Sequence, residues 1–89
     1  MNEIFNVLEK SQSIEILVTL YNKDKLFLSE LLEQLGTKDT NTVSRRLDML
    51  REAGLVKEEG EKKFGGRRYI WLTDKGKKVA KLLTNIEKL

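Results

Sequence analysis

Apolar positions recur along this chain with two different periods, and the change from one to the other organises it. From Ser13 onward Ile14, Leu17, Val18 and Tyr21 stand at i, i+3, i+4 and i+7, the stripe of a helix with one face on a core. The polar segment NKDK at 22–25 ends it. Ahead of it, residues 2–10 carry Ile4, Phe5, Val7 and Leu8 before the interruption SQS, which predicts a short leading helix or arm. Leu26, Phe27 and Leu28 make a brief apolar run, enough for one edge strand or a tight connection. Ser29 then offers an N-cap to SELLEQLG, in which Leu31, Leu32 and Leu35 face inward and Gly36 supplies the left-handed residue at the end.

Residues 40–54, TNTVSRRLDMLREAG, follow a cap at Asp39 or Thr40. At 3.6 residues per turn Val43, Leu47 and Leu50 share a stripe with the backbone of Gly54, whereas Asn41, Arg45, Asp48 and Glu52 point the opposite way. After Gly54 the period shortens. Residues 55–59 and 68–73 read as two strands joined by a glycine-containing turn through 60–66, with aromatic and β-branched residues gathered in the second. Thr73 or Asp74 can cap a final helix over 75–88, on which Val79, Leu82, Leu83, Ile86 and Leu89 form the stripe.

A chain of 89 residues is one domain with a modest core. It has neither cysteine nor histidine, which excludes disulfides, removes the usual ligands of zinc, haem and iron–sulfur clusters, and leaves no thiol or imidazole for catalysis. The acidic residues alternate with lysines and arginines as on a solvated surface, so neither an enzyme nor a cofactor is expected. No apolar run approaches the roughly 18–20 residues of a membrane helix, and no signal peptide is visible, so the expected location is the cytoplasm. The net charge of +3 says less than its distribution. RR at 45–46, KK at 62–63, RR at 67–68 and KGKK at 75–78 all lie in the second half.

Where LSELLEQLG is followed by NTVSRRLDMLREAGLV and then RRYIWLTDKG, the chain resembles the winged helix-turn-helix regulators, particularly the MarR-like, ArsR-like and PadR-like groups, over about residues 13–80. TVSRRL, L-x-x-AGLV and LTDKG are weak signals singly; in this order and at these separations they are a specific one. The resemblance implies an α+β, mainly α fold: a three-helix core, a β-hairpin wing and a C-terminal dimerisation helix. It divides a single domain over 1–89 into a core at 13–73, with helix-turn-helix about 29–54 and wing about 55–73, and a helix at 74–89. Residues 29–35 become the supporting helix, 40–53 the recognition helix and 58–68 the wing. One departure stands in GTKDTNTVS, where Thr37 replaces the small apolar residue common in those families and the turn is one residue longer, implying a looser connection.

A single helix fits the roughly 12 Å wide major groove. Asn41, Thr42 and Arg45 lie near the end where base edges are reached, Arg45 suited to guanine and Asn41 to adenine. Thr40, Ser44 and Arg46 flank them and suit phosphates, as does Ser29 at the start of the supporting helix. The plainer alternative is that Arg45 and Arg46 solvate the helix and pair with Asp48 and Glu52. Those acids in any case confine a reading surface to residues 40–46. In the wing, Lys62, Lys63, Arg67 and Arg68 flank Gly65 and Gly66, a cationic tip for the phosphate backbone or the minor groove. Phe64 would pack on sugars or cover the hairpin base, Glu58, Glu59 and Glu61 dilute the charge toward an ordinary surface hairpin, and Tyr69 and Trp71 are assigned to packing.

Val79, Leu82, Ile86 and Leu89 keep the 3, 4, 3 spacing of a coiled-coil seam, which Leu83 broadens and Ile4, Phe5 and Leu8 can complete. The last helix therefore either dimerises or folds back on its own domain. The expected function is sequence-specific binding of double-stranded DNA by a small dimeric transcriptional regulator. A winged-helix protein-interaction module and a sequence-tolerant chromatin or replication factor are the alternatives. Metal sensing is disfavoured by the missing cysteine and histidine.

Overall fold

The computed structural model describes residues 3–60 and 68–89. Its elements are α1 (Glu3–Leu8), α2 (Ser13–Lys23), β1 (Lys25–Phe27), α3 (Leu28–Leu35), α4 (Thr40–Glu52), β2 (Val56–Gly60), β3 (Arg68–Leu72) and α5 (Asp74–Glu87). The order predicted from periodicity is the order found, with ends displaced by one or two residues. One displacement has a physical reason. Ser29 is not the cap of α3, because β1 runs straight into the helix; extended Phe27 is the boundary residue, and the Glu30 carboxylate accepts from its N–H at 2.9 Å.

The inward face of α2 also differs from the expected stripe. Ile16, Leu17 and Leu20 are buried, with Ser13, while Ile14 and Tyr21 are exposed and Val18 is half-buried. The helix is turned by about one residue, roughly 100°, from the predicted orientation. Either stripe satisfies the same periodicity. The face used is the one that meets α3, β3 and α5 at once.

The three strands form an antiparallel sheet in the order β1-β3-β2. Along β3, Ile70 and Leu72 point into the core, with Val56 opposite Leu72. Tyr69 and Trp71 therefore occupy the outer face, where they pack half-buried, Tyr69 tilted on Phe27 at 4.2 Å between ring centres. Lys25 Nζ sits 4.7 Å above the Tyr69 ring and 4.8 Å above that of Trp71. The core itself joins Ile16, Leu17 and Leu20 to Leu31, to Val43, Leu47 and Leu50 of α4, and to Leu55, Ile70 and Ala80.

Two backbone junctions seat α4 and α5. Gly36, in the left-handed region at φ 68, ends α3 while Thr37 N–H returns to the Leu32 carbonyl at 3.2 Å. At the other end of α4, the Leu55 carbonyl accepts from Thr73 N–H at 3.0 Å and lies so close under α5 that a β-carbon on Gly76 would stand 1.9 Å from its oxygen. Thr73 is the cap of α5, its hydroxyl accepting from Gly76 N–H at 2.9 Å and donating to the Gly54 carbonyl at 2.6 Å.

Candidate nucleic-acid interface

The segment between α3 and α4 is braced rather than loose. Thr37 Oγ1 accepts from Asp39 N–H at 3.1 Å, and Asp39 in turn caps α4, accepting from Thr42 N–H at 3.1 Å and from the Thr42 hydroxyl at 2.6 Å. The threonine that departs from the family pattern thus supplies a hydrogen bond to the turn. The bonds from the Thr42 hydroxyl and N–H, with a smaller contribution from the Arg45 charge, hold the Asp39 carboxyl below its ordinary pKa.

This cap sets the N-terminal half of α4 at the surface. Thr40, Asn41 and Arg45 are exposed, and Thr42 and Ser44 half-buried. Among the described residues the side chains of Asn41 and Arg45 make no hydrogen bond or ion pair. Asp48 does not pair with Arg45; it takes Arg51 Nη2 at 3.1 Å. Ser29 is exposed in the first turn of α3.

Arg46 points elsewhere. Its Nε donates to the Ser11 carbonyl at 3.0 Å and its Nη2 to Ser11 Oγ at 3.4 Å, while Nη1 lies 3.7 Å from Met49 Sδ. The guanidinium is committed to the turn between α1 and α2. No periodicity in the sequence signals a contact between residues 35 positions apart.

Of the wing cations only Arg68 falls among the described residues; Glu61, Lys62, Lys63, Phe64, Gly65, Gly66 and Arg67 lie outside them. Arg68 is bound to Glu58 through Nε at 3.0 Å and through Nη2. Glu58 stands opposite Ile70 on the inward side of the hairpin and its side chain is only 8% exposed, so it is a buried link and not a diluting surface charge. Arg51 of α4 approaches the same carboxylate at 3.6 Å. The base of the hairpin is thereby tied to the C-terminal half of α4.

On α5, Gly76 and Ala80 are buried, whereas Leu82 and Ile86 are 64% and 62% exposed. With Val79 and Leu83 they form one wall of an apolar groove of about 330 Å³; Ile4, Phe5 and Leu8 of α1 form the other. Phe5 is 61% exposed, and Leu89 is exposed beyond the end of the helix. The helix thus does fold onto the rest of the chain, by Gly76 and Ala80 with Val79 and Leu83 half-buried against the core, and leaves Leu82, Ile86 and Leu89 of the predicted seam outward. No helix among the described residues is long and apolar enough to cross a membrane.

The HxlR-like helix-turn-helix family matches residues 7–89, from the end of α1 through α5. Among solved structures, the transcriptional regulator HlyU from Vibrio vulnificus CMCP6 is similar at 26% identity and a TM-score of 0.74, over 94% of this chain and 83% of that one. A transcriptional regulator homologue from Pyrococcus horikoshii OT3 is similar at 22% identity and a TM-score of 0.72, over 99% and 92%. AbfR is similar in its disulfide form at 24% identity and a TM-score of 0.76, over 85% of this chain and 51% of that one. Reduced AbfR bound to DNA gives 22% identity and 0.76, over 92% and 59%, so the chain spans little more than half of AbfR. No curated protein matches the sequence. The fold is a winged helix-turn-helix, mainly α, with α3 as the supporting helix and α4 in the position of the recognition helix.

Proposed function

The chain belongs to the HxlR-like helix-turn-helix family, and from that premise we propose that it is a DNA-binding transcriptional regulator acting as a homodimer on paired half-sites. The observation that carries this reading is the state of the two side chains at the tip of α4: Asn41 and Arg45 are exposed, one helical turn apart, and neither side chain makes a hydrogen bond or ion pair among the described residues. Arginine and asparagine are the side chains whose paired donors and acceptors match guanine and adenine in the major groove. Thr40 and Ser44 flank them with hydroxyls for phosphate oxygens, and the first turn of α3 at Ser29 extends that line. That AbfR has been seen bound to DNA supports the same direction.

The wing contributes through Lys62, Lys63 and Arg67, with Arg68 serving at its base as a tether to Glu58. One recognition helix makes few base contacts, and the half-sites of two-fold proteins lie roughly 34–36 Å apart. The groove between α1 and α5, floored by Leu8, Val79 and Leu83 with Phe5, Leu82 and Ile86 on its rim, is where a second copy docks. Work of this kind needs no catalysis and belongs where the DNA is, in the cytoplasm.

Selection of bound duplexes from a random pool tests the reading. Arg45→Ala is expected to lose discrimination worth about 1–3 kcal/mol at one base position in each half-site. Uniform weakening across sequences would mean a sequence-tolerant architectural protein. No binding to any duplex at low salt would leave a protein-interaction module in its place.

A further inference from the structure

We propose that Arg46 is a positioning residue that couples the dimer-forming α1 to the DNA-reading α4, and not a phosphate ligand. The inference rests on the functional reading above. Arg45 and Arg46 are neighbours in sequence but are turned about 100° from each other on the helix, and they are spent differently. Arg45 is exposed at the tip, with no hydrogen bond or ion pair among the described residues. Arg46 reaches away from it and places two arms of its fork on Ser11, at 3.0 Å to the carbonyl and 3.4 Å to the hydroxyl.

Ser11 belongs to the turn that carries α1. That helix has six residues, too few to hold itself by its own hydrogen bonds; Val7 is buried in the core and Leu8 packs half-buried against it. The turn behind it runs through Gln12 in the left-handed region at φ 68, a conformation that costs a side chain energy and persists only where the surroundings impose it. The Arg46 grip is such an imposition. Because α1 also supplies Ile4, Phe5 and Leu8 to the groove, the angle of α1 sets how a second copy sits, and Arg46 refers that angle to the helix that reads DNA. Together with the packing of Val7 and Leu8 on the core, this side chain then sets the spacing between two recognition helices.

The test uses a duplex selected by the wild-type protein, carrying two half-sites, and a shorter duplex carrying one. Arg46→Ala is expected to bind the single half-site within about twofold of wild type with an unchanged salt slope. On the paired site it is expected to lose between about five- and a hundredfold, the range of ordinary coupling between sites, and to tolerate altered half-site spacing. Arg46→Lys keeps the charge and one donor, and its loss should be smaller and again confined to the paired site. An equal loss on both duplexes, with a salt slope lower by about 0.9 per protomer, makes Arg46 a phosphate ligand and overturns the proposal. So does Arg46→Lys binding both duplexes as wild type does, or Arg46→Ala losing nothing. Failure of the wild type to bind any duplex is a different outcome: it removes the functional reading, and this coupling with it.

Discussion

Gly76 is the residue at which α5 comes down on the end of the α4 connection, and its missing side chain is what lets the helix descend. A β-carbon there would meet the Leu55 backbone oxygen at 1.9 Å, a group held in place by its own bond from Thr73. Gly76→Ala is therefore expected to cost about 3 kcal/mol or more, at or above the upper end of ordinary overpacking, and thermal unfolding measures it. Thr73 is the gentler probe. Thr73→Val removes the hydroxyl that serves Gly76 and Gly54 at nearly constant volume and should cost about 1–2 kcal/mol, or roughly 4–16 °C in Tm for a domain of this size. Sequence alone marks Thr73 as a cap and LTDKG as a motif, but not the reason for its glycine, which is the backbone approach of Gly76 to Leu55, distant in sequence. The same limit hides the Arg46–Ser11 bond, while Arg45 on the outer face follows from helical period alone. Tyr69 and Trp71 do pack, but which face they pack on is set by the strand alternation, which gives the inner face to Ile70 and Leu72.

At the scale of elements, the reading of α4 and the misreading of α2 come from one cause. Val43, Leu47 and Leu50 are the only aliphatic stripe α4 has, so its inward face is unambiguous, and all three are buried. On α2 apolar residues cover two overlapping stripes, and only the positions of α3 and α5 choose between them. Leu20→Ala should then cost about 2–5 kcal/mol in denaturant unfolding, and Ile14→Ala far less. The cap of α4 adds a pH dependence. Asp39 has a folded-state pKa lowered chiefly by Thr42, so its contribution is fully present above the unfolded carboxylate pKa and disappears as the pH falls through the lower folded value. Acid titration followed by exchange of the Thr42 amide should show the first turn of α4 loosening on that acid side, and Asp39→Asn should flatten the effect.

At the scale of the molecule, the order of elements and the apolar stripe on α5 are legible because each depends on a repeat within one segment. How the seam and the reading helix relate is not, since that depends on contacts across the whole fold. Leu82→Glu places a charge on the rim of the apolar groove and is expected to give a monomer in sedimentation equilibrium, with weaker binding to a paired site and little change in folding. An unchanged dimer mass would remove this face as the interface. One feature of the sheet has an experimental use of its own. Trp71 is the sole tryptophan in the chain, and it sits on the central strand with Lys25 against its ring and Lys57 opposite it on β2. The strand that bears it begins at Arg68, directly after residues 61–67, where the sequence leads one to expect the wing. The protein thus carries a native optical reporter a few residues from the segment expected to meet DNA: titration with duplex should shift its emission without any label, and Lys25→Met should alter the emission of the free protein.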